Sequence, residues 1–205
     1  MKTKFLFSFV LLLFVYGANA QLVVKNLGTS RTGYSNAYGT RQGLACYPAQ
    51  NLVGWVHRSS PINNTIKMDV SMDGGNTWVV DKITSWGVTP GGRLPKMAFF
   101  NPSGNTNPSN VWATGIIPIV SNTARNSYGT TVVSVATAGG TVLNIDTPLR
   151  SRQDTLRQIT SSVVSLSDRM LLLDKNGSIG VGNSDFTDTL TLTKLTPSGN
   201  RFNYS

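Results

Sequence analysis

Glutamate does not occur in this chain: all nine acidic residues among its 205 are aspartate. Cysteine and histidine appear once each, as Cys46 and His57, and charged residues make up only 13%. A single cysteine closes no intrachain disulfide and builds no multi-thiolate zinc cluster. A single histidine makes any Ser-His-Asp triad depend on His57, and the Gly-x-Ser-x-Gly elbow of an α/β-hydrolase is missing. Collagen-like, coiled-coil and strongly disordered chains each need a compositional bias that is absent. No apolar run reaches the ~20 residues that span a bilayer.

The N-terminus reads as an export signal over residues 1–20. Lys2 and Lys4 supply positive charge, residues 5–16 are apolar, and Ala18-Asn19-Ala20 provides the small-x-small cleavage pattern. The expectation is a secreted or cell-surface protein with one mainly β domain over residues 21–205. Removing 20 residues that carry two lysines and no acid leaves 185 residues with a formal charge of +7. The basic residues are scattered singly, Arg150, Arg152 and Arg157 forming the closest cluster, so the stripe that grips nucleic acid is missing and the charge reads as solvated surface.

Short strands separated by turn residues dominate the rest. Residues 66–70 alternate, with Ile66, Met68 and Val70 on one face. Residues 188–195 alternate too, with Leu190 and Leu192 opposite Thr189, Thr191 and Thr193. Runs at 52–56, 111–117, 130–136 and 163–173 are β-branched or apolar and bounded by Gly, Asn, Pro and Ser. Asn176-Gly177 suits a tight hairpin turn. Residues 151–159 are the only helix-like stretch. Residues 26–43 and 101–110 are rich in turn formers, and the second, with Pro102, Gly104 and Pro108, is expected as a surface loop.

One motif stands above this background. Ser71-Met72-Asp73-Gly74-Gly75-Asn76-Thr77-Trp78 matches S-x-D-x-G-x-T-W at every fixed position: Ser71, Asp73, Gly75, Thr77 and Trp78. That spacing makes a hairpin in which a carboxylate accepts hydrogen bonds from its own turn, glycine takes the unusual φ, and tryptophan anchors the turn by packing.

This octapeptide is the Asp-box, or BNR, signature, and the chain resembles sialidase-like β-propellers. The likeness extends over about residues 38–140 through Asn51-Leu52-Val53-Gly54-Trp55-Val56-His57-Arg58, the box, Gly92-Arg93-Leu94-Pro95, Phe99-Phe100-Asn101-Pro102-Ser103-Gly104-Asn105-Thr106 and residues 111–115. There the chain is similar to the N-terminal part of large Asp-box proteins exported by the type IX secretion route of Gram-negative bacteria. No C-terminal sorting domain of that family is seen, and the likeness fades after Gly140. The resemblance implies blade-forming sheets over about 44–140, a less defined β region over 141–205, and a box that joins the two outer strands of a blade away from the ligand face. It makes Asp73 a turn-stabilising acid and Trp78 a packing residue.

Length limits this reading. Blades take ~40–50 residues, so 185 residues supply about four where sialidases have six. The expected fold is all-β, a partial or incomplete β-propeller with few blades and long surface loops.

The family's catalytic set is also incomplete. Sialidases hold substrate with three arginines and use a tyrosine activated by glutamate, and glutamate is absent. Arg93 is the nearest match to the family's arginine motif, yet it follows the box. A glycosidase pair of aspartates needs two carboxyls at a set separation, and no stretch of sequence puts two together. Asp174, Asn176, Asp185 and Asp188 miss the spacing of a calcium loop. No metal or cofactor motif is present. His57 reads as a structural or surface residue and Cys46 as a small buried hydrophobe. Candidate ligand-binding residues are Arg93, Arg58 and Trp112, with Tyr34, Tyr38 and Trp86 as further exposed-looking aromatics, although tryptophan in an all-β protein is more often a core residue. Thr155 and Thr189 lie in Asp-Thr-Leu tripeptides that resemble bacterial O-glycosylation acceptors.

The reading is therefore a non-catalytic secreted or cell-surface protein that binds a glycan or another protein. The alternatives are a fragment of a sialidase-like glycoside hydrolase lacking its catalytic blades, and a structural N-terminal module of a larger surface protein. If the chain turns anything over, an exo-sialidase-like reaction is the class to expect.

Overall fold

The computed structural model describes residues 24–27, 43–58, 65–84, 86, 92, 94–122, 127–150, 156–178 and 186–205; within these, the side chains of 120–130, 147–150, 156–161, 175–178 and 186–189 are outside the description. Among the described residues twelve strands form three four-stranded antiparallel sheets, each a meander in which neighbours in sequence are neighbours in space. Sheet 1 contains β1 (Leu44–Tyr47), β2 (Leu52–Arg58), β3 (Ile66–Ser71) and β4 (Val79–Ile83). Sheet 2 contains β5 (Lys96–Phe100), β6 (Trp112–Asn122), β7 (Ser127–Thr137) and β8 (Val142–Arg150). Sheet 3 contains β9 (Leu156–Ser165), β10 (Met170–Ser178), β11 (Phe186–Ser198) and β12 (Arg201–Tyr204). The fold is all-β; among the described residues no helix is long and apolar enough to cross a membrane.

The sheets stack face to face, with sheet 2 in the middle. Met97, Phe99, Ala113 and Ile117 pack on Leu52, Val56, Ile66, Met68 and Val70 of sheet 1. The opposite side of sheet 2, including Ala98, Phe100, Trp112 and Val135, packs on Val163, Met170, Leu172, Leu195 and Phe202 of sheet 3. A strand buried on both faces has no use for polar alternation. This is why β5 reads Lys-Met-Ala-Phe-Phe and is buried at all five positions. Phe100, Trp112 and Phe202 lock the second interface, with Trp112 edge-on to Phe202 at 5.3 Å between ring centres. At its rim Tyr204 donates its hydroxyl to Asp146 Oδ2 at 3.3 Å, and burial followed by the Asp146 charge raises the phenol's pKa.

Two glycines let the first interface close. A Cβ on Gly54 would lie 2.7 Å from Met97 Cε and 2.8 Å from Phe99 Cζ, and one on Gly115 would lie 2.7 Å from the buried Trp86 ring. Alanine at 115 has nowhere to go, because the indole it meets is rigid and fully enclosed.

Several sequence expectations need correction. Residues 156–159, within the helix-like stretch, belong to β9, where cross-strand pairing with β10 decides the conformation. The run at 163–173 is two strands, β9 and β10, joined by a turn that Leu166 N–H closes on Arg169 O at 2.8 Å. Asn176-Gly177 is not a turn: both residues continue β10, opposite Gln158 and Arg157. Their hairpin signal is overridden by an irregularity between Lys175 and Gly177 that absorbs the local conformation within the ladder. Along β11 the alternation holds and the core takes the threonine face, with Thr193 and Leu195 buried while Leu190 and Leu192 are exposed.

Gly115→Ala is expected to lower the unfolding free energy by about 1–3 kcal/mol through overpacking against Trp86. Urea titration of the variant checks this; an unchanged midpoint would mean that the indole can move aside.

Candidate functional site

The Asp-box is the hairpin between the third and fourth strands of sheet 1. Ser71 closes β3, and Gly74 and Gly75 follow at φ 73 and 98, angles that disfavour a Cβ. The Asp73 carboxylate accepts the Thr77 N–H at 2.8 Å and the Thr77 hydroxyl at 2.6 Å. Ser71 donates its hydroxyl to Asp73 Oδ1 at 2.8 Å and accepts the Gly75 N–H at 2.8 Å. Trp78, half-buried, donates its indole N–H to Gly75 O at 3.0 Å. Asp73 is exposed, and the Thr77 hydrogen bonds, aided by Ser71, lower its pKa to about 2. The polar side-chain groups of Ser71, Asp73, Asn76, Thr77 and Trp78 bond within the turn.

Two further places hold chemistry. The first lies on the outer face of sheet 1, where β4 bulges: Met68 pairs with Ile83 and Val70 with Val79, so residues 80–82 oppose Asp69 alone. Asp81 takes φ 54 there and donates its N–H to Asp69 Oδ1 at 2.7 Å. His57 Nε2, from β2, stands 3.3 Å from Asp69 Oδ1 and 3.9 Å from Asp81 Oδ1. Lys67 Nζ donates to Asp81 Oδ2 at 2.5 Å, and the Trp55 ring stacks on His57 at 4.3 Å. The side chains of His57 and Asp69 are 5% and 0% exposed, whereas that of Asp81 is 35% exposed. His57 Nδ1 and Asp69 Oδ2 are buried without a hydrogen-bond partner.

The second is a cleft of about 620 Å³ where β1, β5 and β9 run side by side. Tyr47, Asn101, Ser103, Ser165 and Ser167 supply its polar groups, and among the described residues no charged side chain or histidine lines it. The Asn101 side chain donates to Asn105 O at 3.1 Å and accepts from Asn105 Nδ2 at 2.7 Å, so the loop beside the cleft is held by its own amides. The cleft lies at the box end of the stack. There Gly74 N–H reaches Asn51 O at 2.8 Å and the Gln50 amide reaches Asn105 O at 3.3 Å.

The sequence candidates are dispersed. Arg58 shares the β2 face of Leu52 and Val56, turned between sheets 1 and 2, and is only 6% exposed. Trp112 and Trp86, weighed as surface rings against a core role, are 6% and 0% exposed and belong to the core: Trp112 lies between sheets 2 and 3, and the Trp86 ring packs on Gly115 of β6. Cys46, expected to be buried, is exposed, since it faces outward from the edge strand β1. Asp174 is buried within β10 rather than in a calcium loop. Thr189 falls on β11 with its side chain outside the described residues, as is that of Asp188. The signal segment and Tyr34, Tyr38, Arg93, Thr155 and Asp185 lie outside the described residues altogether.

Sequence reasoning missed the meeting of Asp69 with Asp81. The alternation of β3 puts Lys67, Asp69 and Ser71 opposite the core residues, a legible signal; the bulge that turns Asp81 toward them is not written in any local pattern.

A depressed carboxyl pKa supplies stability above the unfolded-state value and loses it as pH falls toward the folded one. For Asp73 the window runs from the ordinary 3.8 down to about 2. The thermal midpoint of the wild-type chain should therefore fall more steeply across that window than that of Asp73→Asn. Equal slopes would remove Asp73 from the fold's acid response. Comparison with protein-family models, with curated proteins and with solved structures finds no match to this chain.

Proposed function

We propose that this chain is a non-catalytic secreted or cell-surface protein of the sialidase-like Asp-box type, whose three described sheets act as propeller-like blades and bind a glycan. The observation that carries the binding role is the cleft between β1, β5 and β9, because its size suits a small ligand and its described lining is neutral; it lies at the box end, so the proposed binding face departs from the one the resemblance implies. Side-chain amides and hydroxyls from Asn101, Ser103, Ser165 and Ser167 match the hydroxyls of a sugar, and Tyr47 offers an aromatic face. General acid–base work needs a titrating group within hydrogen-bond reach of the scissile bond, and among the described residues no aspartate or histidine lines this cleft. The blade reading is supported by the three meanders stacked in chain order and by the box's place between the third and fourth strands, where the family carries it. Export rests on the sequence of residues 1–20.

A second reading, a structural module or hydrolase fragment within a longer stack of sheets, is favoured by one observation. The outer face of sheet 3 exposes Val164 at 50%, Leu190 at 59% and Leu192 at 63%. These residues have the same apolar character as the faces that join sheets 2 and 3. The occupant this reading requires is a further four-stranded sheet.

The mature chain on a glycan array, beside Tyr47→Ala and Asn101→Ala, tests the first reading. Retention of a glycan, weakened at least about tenfold in both variants, and no turnover of a fluorogenic sialoside are expected. Hydrolysis of the sialoside, or capture of a protein in place of any glycan, would overturn it. For the second reading, the wild-type chain should self-associate with rising concentration in sedimentation runs and Leu192→Lys should not; a wild-type chain that stays monomeric throughout removes it.

A further inference from the structure

We propose that His57, Asp69 and Asp81 bind one divalent first-row transition-metal ion, with Zn²⁺ the best match to the donors. Their nearest donor atoms, from three adjacent strands, all lie within 4.8 Å of one another. Nitrogen and oxygen ligands held about 2.0–2.1 Å from a tetrahedral ion sit about 3.3–3.4 Å apart. His57 Nε2 and Asp69 Oδ1 already have that separation at 3.3 Å, and Asp81 Oδ1 is 3.9 Å from the same nitrogen.

Burial argues for the ion independently of the spacing. The Asp69 side chain is wholly enclosed; its Oδ1 accepts the Asp81 N–H and faces His57 Nε2, while its Oδ2 has no hydrogen-bond partner among the described residues. A buried carboxylate is tolerated when paired, hydrogen-bonded or bound to metal. Within the cluster, Lys67 is committed to Asp81 Oδ2. Two aspartates and one lysine leave one negative charge among Asp69, Asp81 and Lys67. A cation at His57 Nε2 and Asp69 compensates it.

The donor set narrows the ion. Ca²⁺ and Mg²⁺ favour all-oxygen shells, whereas imidazole beside carboxylates suits Zn²⁺, Co²⁺ and Mn²⁺. Trp55, stacked on the imidazole, holds the ring plane. Lys67 is a positioning residue: by holding Asp81 Oδ2 it leaves Oδ1 turned toward His57. Asp81, 35% exposed, is the side from which an ion arrives. A proton on His57 is the competing occupant, and a ligated metal displaces it from Nε2.

His57 is the only histidine, so its ring nitrogens report on the site without ambiguity in an untagged chain. Titration with zinc chloride, followed by long-range ¹H–¹⁵N correlation, should move the Nε2 resonance to saturation at one equivalent. Calorimetry should give the same stoichiometry, and Asp81→Asn should weaken binding at least about tenfold. Replacing zinc by Co²⁺ should give the visible absorption of a low-coordinate site. The proposal fails if the His57 resonances of the folded wild-type chain ignore millimolar zinc and manganese. It fails equally if zinc binds with undiminished affinity to His57→Gln, since the ion would then sit elsewhere. The wild-type resonances decide the matter even where a variant does not fold.

Discussion

Along β5, Met97 and Phe99 enter sheet 1 while Ala98 and Phe100 enter sheet 3. Sheet 2 therefore contributes to both cores, and neither interface exists without it. Alone, sheets 1 and 3 would each leave the apolar face that now packs on sheet 2 in water, and sheet 2 would leave both of its faces there. Stacking removes those faces, and the hydrophobic term scales with the area covered. The price is close fit, visible at Gly54 and Gly115, where the backbone comes within reach of Phe99 and Trp86 and leaves no space for a methyl group.

Stacking also leaves the two ends of the molecule unlike each other. The outer face of sheet 1 is polar, with His57, Lys67 and Asp69 beside Trp55, and its edge strand is bulged at Asp81. A bulged, charged edge resists pairing with another strand. The outer face of sheet 3 is apolar, with Leu190 and Leu192 exposed. One end carries the His57, Asp69 and Asp81 cluster, the other an exposed apolar face, and the cleft lies between β1, β5 and β9.

Much of this was legible in the residues. Strands at 52–56, 66–70, 111–117 and 130–136 follow from composition and period, and the Asp-box reads directly as a hairpin because all its bonds are local. Short edge strands such as β1 and β12 escaped, since four residues carry too little period to register. The failures share one cause. Asn176-Gly177 and residues 156–159 have local preferences that long-range pairing with neighbouring strands overrides. Trp112 looked available because nothing in a strand's own pattern tells whether one face or both will be covered.

The sequence by itself determined the all-β class, the meander spacing and the Asp73 turn, because these depend on contacts between residues close along the chain. Only the tertiary structure decided the rest. It put a second sheet over Trp112 and brought Asp69 and Asp81, twelve positions apart and divided by the box, to the same histidine. It also closed a cleft from three strands far apart in sequence. Such meetings depend on register, bulges and the order of stacking, which are settled by the sum of many distant contacts rather than by any one segment.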